Sequence, residues 1–203
     1  MKNELIAVAK KEDIFKEIPY QEGIIQYDYN IIHNIVKYQK ESIRHLAELD
    51  YSHKQIVSYI VFMHNQDIFL MERSQKSSEQ KLKNKFSLGI GGHLNKNDLQ
   101  KDILYWGMRE FEEEVNYIDL SVIKPIAIIN DESNDVGKLH LGIVYIMNGD
   151  TPQISIKSEL KSGQLIPFEA CFDYYDKLEP WSQLAINFIK KNYSNKIFYN
   201  KIF

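Results

Sequence analysis

The feature that most constrains the fold is a pair of runs rich in β-branched and aromatic residues, QIVSYIVFMH and DIFLMERS, separated by Asn65-Gln66. Such residues favour strands and asparagine suits a tight turn, so the pattern predicts a β-hairpin over residues 55–74. Further strands are predicted at three apolar segments and one shorter segment: FSLGIGG, LSVIKPIAII, KLHLGIVYIM and QISIKSE.

Helices are predicted before, between and after these strands. Apolar residues recur at helical intervals in residues 29–49 and 98–115, and prolines favour two helix starts, after Pro167 and at Glu179-Pro180. Strands interspersed with helices predict an α/β fold. The chain has no repeats and no linker. We therefore expect residues 1–50 to form an extension packed on a domain of residues 51–193, followed by a tail of residues 194–203.

Composition narrows the class of protein. The 203 residues are 44% hydrophobic and 26% charged, which is typical of a globular protein. A net charge of −3 argues against a protein that coats nucleic acid through a basic face. No apolar run approaches the roughly 18 residues of a membrane span, the first residues do not resemble a signal peptide, and Cys171 is the single cysteine. We expect a cytoplasmic protein.

Three acidic residues of one predicted helix are the strongest functional signal. At about 100° per residue, Glu113 and Glu114 lie within about 60° of Glu110 around the helix axis. Their mutual repulsion is unfavourable, and so is their position near the negative end of the helix dipole. A hard divalent cation would offset both effects, and Mg²⁺ is held by carboxylates together with water and substrate phosphates.

Most glutamate-rich helical segments are simply solvated surfaces, so the context of these acids matters. Here a glycine pair, Gly91-Gly92, precedes the helix, and Arg109 stands directly before the first acid. A solvated surface needs neither feature. The context therefore favours a site over a bare polar face.

The same residues resemble the Nudix box, GX5EX7REUXEEXGU with U an apolar residue, the signature of the Nudix hydrolases. Five residues match the REUXEE core and one matches the opening glycine: Arg109, Glu110, Phe111, Glu113, Glu114 and Gly92. The resemblance covers about residues 54–175, and GIGGHLN within it is similar to the predicted phosphoesterase branch of the superfamily. It implies a Nudix-like α/β/α sandwich with a mixed sheet and an N-terminal extension.

Three features depart from the family pattern. Gly92 and Arg109 are 17 positions apart where the pattern has 14, so the loop between them is longer. The first glutamate of the box has no counterpart, and the nearest acids are Asp98 and Asp102. Asn116 replaces the glycine after the helix, which is a mild change because asparagine also accepts a left-handed C-terminal cap.

The resemblance implies hydrolysis of a diphosphate bond in a nucleoside-diphosphate-linked or related phosphorylated small molecule, with Mg²⁺ or Mn²⁺. The cation would neutralise phosphate charge and activate a water for attack on phosphorus. The implied metal ligands are the Gly92 carbonyl and the side chains of Glu110, Glu113 and Glu114. Arg109 is expected to orient a neighbouring carboxylate, which makes it, with Glu110 and Glu113, a candidate catalytic residue.

The general base and the substrate contacts are separate predictions. Glu132, Asp135 and His140 lie near the end of a predicted strand, and Glu132 is the preferred base, although acids of this kind also occur in ordinary solvated turns. Arg73 and His93 are candidate substrate-binding residues. A histidine at a strand end is, however, more often structural.

Two other functions stay open. The missing first glutamate and the longer loop suggest a Nudix fold that binds a nucleotide or phosphorylated ligand as a sensor without hydrolysing it. Alternatively, the acids could be accidental in an α/β interaction protein. The expected partner of the enzyme is a phosphorylated small molecule, with no membrane and no nucleic-acid polymer. A homodimer is expected from the family alone.

Overall fold

The computed structural model describes residues 4–73, 85–157 and 160–199. The strands are β1 (Leu5–Lys10), β2 (Gly23–Gln26), β3 (Lys40–Ile43), β4 (His53–His64), β5 (Asp67–Arg73), β6 (Phe86–Ser87), β7 (Gly89–Ile90), β8 (Val115–Asn116), β9 (Ser121–Asn130), β10 (His140–Gly149), β11 (Ser155–Ile156) and β12 (Leu160–Pro167). The α-helices are α1 (Lys11–Ile14), α2 (Tyr29–Tyr38), α3 (Arg44–Ala47), α4 (Lys96–Leu99), α5 (Met108–Glu114), α6 (Asp135–Leu139) and α7 (Pro180–Tyr199). In the described residues, 3₁₀ helices cover Ile103–Tyr105 and Phe168–Lys177.

The predicted α/β class with a mixed sheet is confirmed. Ten strands form one sheet whose main path runs β12-β5-β4-β10-β9-β2, with β1, β3, β6 and β7 attached beside it. The remaining strands, β8 and β11, pair with each other. No helix in the described ranges is both long and apolar enough to cross a membrane.

The hairpin predicted from the first sequence feature is confirmed. β4 and β5 pair at Met63↔Ile68 and His64↔Asp67, and Asn65 takes a left-handed conformation with φ +54°. The ten inner residues of β4 are all buried. A strand covered on both faces takes apolar residues at consecutive positions, which explains the run of residues 59–63, although the polar Lys54, Gln55 and Ser58 are buried as well.

The single helix predicted over residues 29–49 is interrupted: α2 ends at Tyr38, residues 40–43 form β3, and helix resumes in α3 at Arg44–Ala47. Gln39 turns extended, with ψ 148°, and β3 then pairs with β1 through Leu5↔Ile43 and Val8↔Lys40. The periodicity of residues 29–38 is a true helical signal. The conformation of residues 40–43 is decided by the edge of β1, a partner that local periodicity does not contain.

The single helix predicted over residues 98–115 is also wrong, because the segment forms α4, a 3₁₀ turn and α5. Asp102 Oδ1 accepts the Leu104 N–H at 2.9 Å, which offers the backbone an alternative to α-helical bonding. The buried Trp106 donates from Nε1 to the Lys101 carbonyl at 3.2 Å, so that carbonyl is also used outside a regular helix. The acidic part of the segment remains helical in α5.

The chain divides into two compact units. The first comprises Met1–Tyr59, Gly91–Arg109 and Pro125–Tyr145. In it, β1 lies between β3 and β4, and β2 pairs with β9 from Gly23↔Asn130 to Gln26↔Ala127. Residues before position 50 therefore supply three strands of the sheet. The domain boundaries at residues 50 and 193 stay predictions.

The second unit comprises Ile60–Ile90, Glu110–Lys124 and Ile146–Phe203. In it, β12 pairs with β5 from Pro167↔Asp67 to Leu160↔Arg73, with a register shift between Leu160 and Ser162. Two helical segments come after β12, as predicted: the first is the 3₁₀ helix and the second is α7, which begins at Pro180. Proline favours a helix start because its missing N–H has no intrahelical partner there in any case.

Candidate functional site

The glycine loop, Gly91-Gly92-His93, runs beside β4 in the first unit. The Ser58 N–H donates to the Gly92 carbonyl at 3.0 Å, and the Leu94 N–H donates to the Ile56 carbonyl at 2.9 Å. Gly91 has φ +148°, and a Cβ there would lie 2.3 Å from the Ser58 carbonyl oxygen. A side chain at position 91 has no room, so glycine is required for the loop to approach the strand this closely.

Arg109 ties the loop to the start of α5. Its Nη2 donates to the His93 carbonyl at 2.9 Å and to Asp98 Oδ2 at 3.1 Å. The same Asp98 oxygen accepts the Asn95 N–H at 3.0 Å and so closes the capping box of α4. Asp98 is one of the two acids that the sequence offers in place of the missing first glutamate of the box, and its side chain is buried.

Helix α5 carries the predicted acids at positions i, i+3 and i+4. Glu110 and Glu114 are partly buried, whereas Glu112 and Glu113 are exposed. At the end of the helix the Lys157 N–H donates to the Glu114 carbonyl at 2.7 Å, and its ammonium donates to the Glu112 carbonyl. A cation at this end of a helix dipole offsets part of the crowding of negative charge.

Asn116, the second residue after α5, does not form the left-handed cap that the sequence allows. Among non-glycine residues of the described chain, positive φ occurs at Glu17 and Asn65. Asn116 instead continues directly into β8 and pairs with Ser155 of β11. The replacement of glycine by asparagine is tolerated here because an extended residue needs no left-handed conformation.

Two histidines of the first unit meet beside the glycine loop. His140 Nδ1 lies 2.7 Å from the Val136 carbonyl, which accepts only, so Nδ1 carries a proton, and in the neutral ring Nε2 is then an acceptor. His93 Nε2 lies 3.1 Å from His140 Nε2 and 2.7 Å from Gln55 Oε1, so it is the donor in both contacts. This tautomer assignment rests on the hydrogen-bond partners.

His93 is held neutral. Burial lowers its pKa to about 3, and the charges of Arg44 and Arg109 act in the same direction. A neutral imidazole contributes no positive charge toward a phosphate. The His93 ring is thus hydrogen-bonded to Gln55 and His140, and its role in substrate binding stays a prediction.

Glu132, the predicted general base, lies between two lysines. Its Oε1 is 2.6 Å from Lys54 Nζ and 3.0 Å from Lys11 Nζ, and Lys54 is fully buried. Burial acts to raise the pKa of Glu132, but the hydrogen bonds and charges of Lys54 and Lys11 outweigh it and hold the pKa below its ordinary value. A carboxylate stabilised in this way is a weaker proton acceptor.

The other predicted residues are dispersed. Asp135 begins α6, and its exposed carboxylate lies 3.6 Å from Lys138 Nζ. Arg73 ends β5, and its side chain falls outside the described part of the structure. The sequence patterns predict no functional role for Lys54. The available signal was a charged residue directly before a strand-forming run that is mainly apolar.

Comparison with known proteins identifies the family. No protein-family model matches the chain. Protein YmaB of Bacillus subtilis (strain 168) is 31% identical over an alignment of 203 positions. The alignment covers 93% of this chain and 98% of that protein. The crystal structure of Tm1382, provisionally described as a Nudix hydrolase, matches with a TM-score of 0.76 and 25% identity, over 93% of this chain and 99% of its own. The chain belongs to the Nudix hydrolase superfamily.

The Nudix fold also links the chain to a more distant structure. A bifunctional NMN adenylyltransferase/ADP ribose pyrophosphatase from Francisella tularensis, crystallised with AMP and a Mn ion, matches with a TM-score of 0.51 and 16% identity. The match covers 68% of this chain and 41% of that one. At this identity the likeness shows the shared Nudix fold alone.

The Nudix acids fit a divalent cation by their chemistry. Within residues 4–73, 85–157 and 160–199, no group of three or more His, Cys, Asp or Glu side chains is already arranged to hold a metal ion. Mg²⁺ does not require such a cage, since one or two carboxylates suffice when water and substrate phosphates complete the shell. The carboxylates of α5 therefore fit an open site completed by water and substrate phosphates.

Proposed function

We propose that this Nudix protein hydrolyses a diphosphate bond in a nucleoside-diphosphate-linked or related phosphorylated small molecule, with Mg²⁺ or Mn²⁺. The observation that carries the proposal is the pair of hydrogen bonds that Arg109 Nη2 donates to the His93 carbonyl and to the buried Asp98 carboxylate. It anchors the residue directly before Glu110 to the glycine loop. A solvated acidic helix would need no such anchor.

Three of the four acids of α5 have a proposed role. Glu110, Glu113 and Glu114 would hold the cation, with the Gly92 carbonyl as a further ligand. The cation, when bound, would neutralise charge on the diphosphate and acidify a water. Family membership supports this assignment, as does the manganese ion in the Francisella enzyme of the same fold.

The chain's own residues supply position rather than charge at the reacting atoms. Arg109 holds the first turn of α5 through the His93 carbonyl, and substrate binding by His93 stays a prediction. Glu132 as general base stays a prediction, and its two lysine partners count against it. The exposed Asp135, on the same turn, is the second candidate for that role.

The proposal also covers the binding partner, the location and the oligomeric state of the enzyme. Its partner would be a phosphorylated small molecule, as in the neighbour crystallised with AMP. The net charge of −3 argues against a nucleic-acid polymer as substrate. A cytoplasmic location and a homodimer stay expectations from sequence and family.

The test is turnover of a defined panel by purified protein with Mg²⁺ or Mn²⁺. The panel comprises nucleoside triphosphates, nucleotide sugars, ADP-ribose, dinucleotides and isoprenoid diphosphates. We expect phosphate or a monophosphate to be released from at least one compound, and Glu113→Gln and Glu114→Gln each to lower kcat by about 100-fold or more. Glu112→Gln is the matched control, because it makes the same change on the same helix at the variable position of the Nudix motif. Wild-type turnover in both motif variants would overturn the assignment.

A second function is favoured by one observation. Asp98 is one of the two acids nearest to the missing glutamate of the box, yet its carboxylate is buried and already hydrogen-bonded to Arg109 and Asn95. A site short of one acid could bind a nucleotide or phosphorylated ligand as a sensor without hydrolysing it. Calorimetry with the same panel would distinguish the two functions, since a sensor would bind a compound tightly and release no product.

A further inference from the structure

We propose that the Lys54–Glu132 ion pair is a positioning device for the candidate active site, acting through the turn of residues 131–139 and the contact between His140 and His93. The inference rests on the proposed function. It gives Glu132 a role other than that of general base. It also gives a role to Lys54, for which the sequence patterns predict none.

Lys54, near the start of β4, binds the turn of residues 131–139 at two points. Its side chain is fully buried, Nζ lies 2.6 Å from Glu132 Oε1, and Nζ donates to the Gly137 carbonyl at 2.9 Å. A buried ammonium is tolerated where it is both paired and hydrogen-bonded. Because Glu132 and Gly137 stand near opposite ends of the turn, one side chain holds both ends.

The turn is braced internally, so it moves as a body. Asp131 Oδ1 accepts the Ser133 N–H at 2.9 Å, and Asn134 Oδ1 accepts the Gly137 N–H at 3.0 Å to cap α6. A Cβ on Gly137 would lie 2.2 Å from the Asp131 carbonyl oxygen, which shows how closely the two ends of the turn approach. His140, at the exit of the turn, therefore follows the position that the clamp imposes.

The series of contacts continues from the turn to α5. His140 Nδ1 donates to the Val136 carbonyl at 2.7 Å, and His140 Nε2 accepts from His93 Nε2 at 3.1 Å. The His93 carbonyl accepts from Arg109 Nη2 at 2.9 Å. An unbroken series of hydrogen bonds thus joins the clamped turn to the residue directly before Glu110.

A positioning role and a general-base role for Glu132 predict different outcomes for Lys54→Met. If Glu132 accepted the proton, this substitution would leave its carboxylate in place, still paired with Lys11 at 3.0 Å, and turnover would persist. If the pair positions the site, Lys54→Met and Glu132→Gln would impair the enzyme in the same way. The two variants together therefore separate the roles.

The kinetic test uses the compound of the panel that the wild-type protein hydrolyses. We expect each single variant to lower kcat about tenfold with KM within about twofold, and the double variant to be no worse than the weaker single, because residues that act as a unit are not additive. Lys138→Met is the matched control, since it removes an exposed lysine from the same turn. Wild-type kcat in Lys54→Met, or multiplied losses in the double variant, would overturn the proposal.

A second measurement needs no turnover. Long-range ¹H–¹⁵N spectra of the histidine rings in the wild-type protein should show a proton on Nδ1 of His140 and on Nε2 of His93. Glu132→Gln, or Glu132→Asp where the glutamine variant does not fold, should shift or broaden both signals, whereas Lys138→Met should not. Unchanged ring signals in either folded Glu132 variant would contradict a positioning role for the Lys54–Glu132 ion pair. An inactive wild-type protein would contradict the proposed function alone and would leave this measurement decisive.

Discussion

The Arg109 guanidinium lies 3.1 Å from the Asp98 carboxylate, and this ion pair joins helix α5 to the capped turn α4. The Asp98 side chain is 3% exposed, whereas that of Arg109 is 34% exposed. The same Asp98 oxygen accepts the backbone N–H of Asn95. One buried carboxylate therefore stabilises both the turn and the start of the acidic helix.

Replacing that carboxylate tests how much the connection contributes. We expect Asp98→Asn to lower the free energy of unfolding by about 1–3 kcal/mol, because a charge-assisted bond is lost at a site that is only partly solvated. Asp102→Asn is the control, since Asp102 caps an exposed 3₁₀ turn, and a cap of that kind costs about 1 kcal/mol or less to weaken. Urea unfolding would measure both variants. Equal losses would show that the ion pair adds nothing to the cap.

The glycine loop provides a steric prediction. Gly91 and Gly23 both have positive φ, at +148° and +89°, but a Cβ at Gly91 would strike the Ser58 carbonyl, whereas nothing lies within 4 Å of one at Gly23. We expect Gly23→Ala to cost about 1 kcal/mol of backbone strain and Gly91→Ala about 3 kcal/mol or more. Thermal unfolding of the two variants would measure the difference. Similar losses would mean that the loop moves away from β4 without cost.

The ion pair of Glu132 predicts a pH dependence of stability. Burial opposes ionisation of Glu132, but Lys54 and Lys11 outweigh it, so the folded-state pKa lies below the ordinary 4.5. A depressed carboxylate pKa contributes stability that is present above the unfolded-state pKa and lost as pH falls through the folded-state pKa. We therefore expect the wild-type free energy of unfolding to fall below pH 4.5, and Glu132→Gln to show a shallower fall.

Denaturant unfolding between about pH 3 and 7 would measure the two profiles. Asp135→Asn serves as the control, because the Asp135 side chain lies on the same turn and is 63% exposed. We expect this variant to keep the wild-type slope. Parallel profiles for the wild-type protein and Glu132→Gln would show that the lysines do not depress this pKa.

Several features of the fold were predictable because they are local. The β4–β5 hairpin follows from two strand-forming runs around Asn65, and the acidic face of α5 follows from the spacing of Glu110, Glu113 and Glu114. The resemblance to the Nudix box predicted the family, which the comparisons confirm. In each case the information lies within a few turns of helix or a few residues of strand.

Other features were mispredicted because competing local contacts and distant partners decide them. Residues 40–43 leave the helical pattern to pair with β1, and Asp102 with Trp106 breaks the segment before α5 into shorter pieces. Periodicity records which residues are apolar. It does not record whether a strand edge lies alongside or which carbonyl a buried indole will use.

By itself, the sequence determined the strand-forming runs, the glycine pair and three acids at helical spacing, because each depends on neighbours within one element. Only the tertiary structure decided that Arg109 pairs with Asp98, 11 residues away, and that Lys54 reaches the carbonyl of Gly137, 83 residues away. Hydrogen bonds and ion pairs act over about 3 Å in space, whatever their separation along the chain. The partners of a buried charge are therefore set by how strands and turns are brought together.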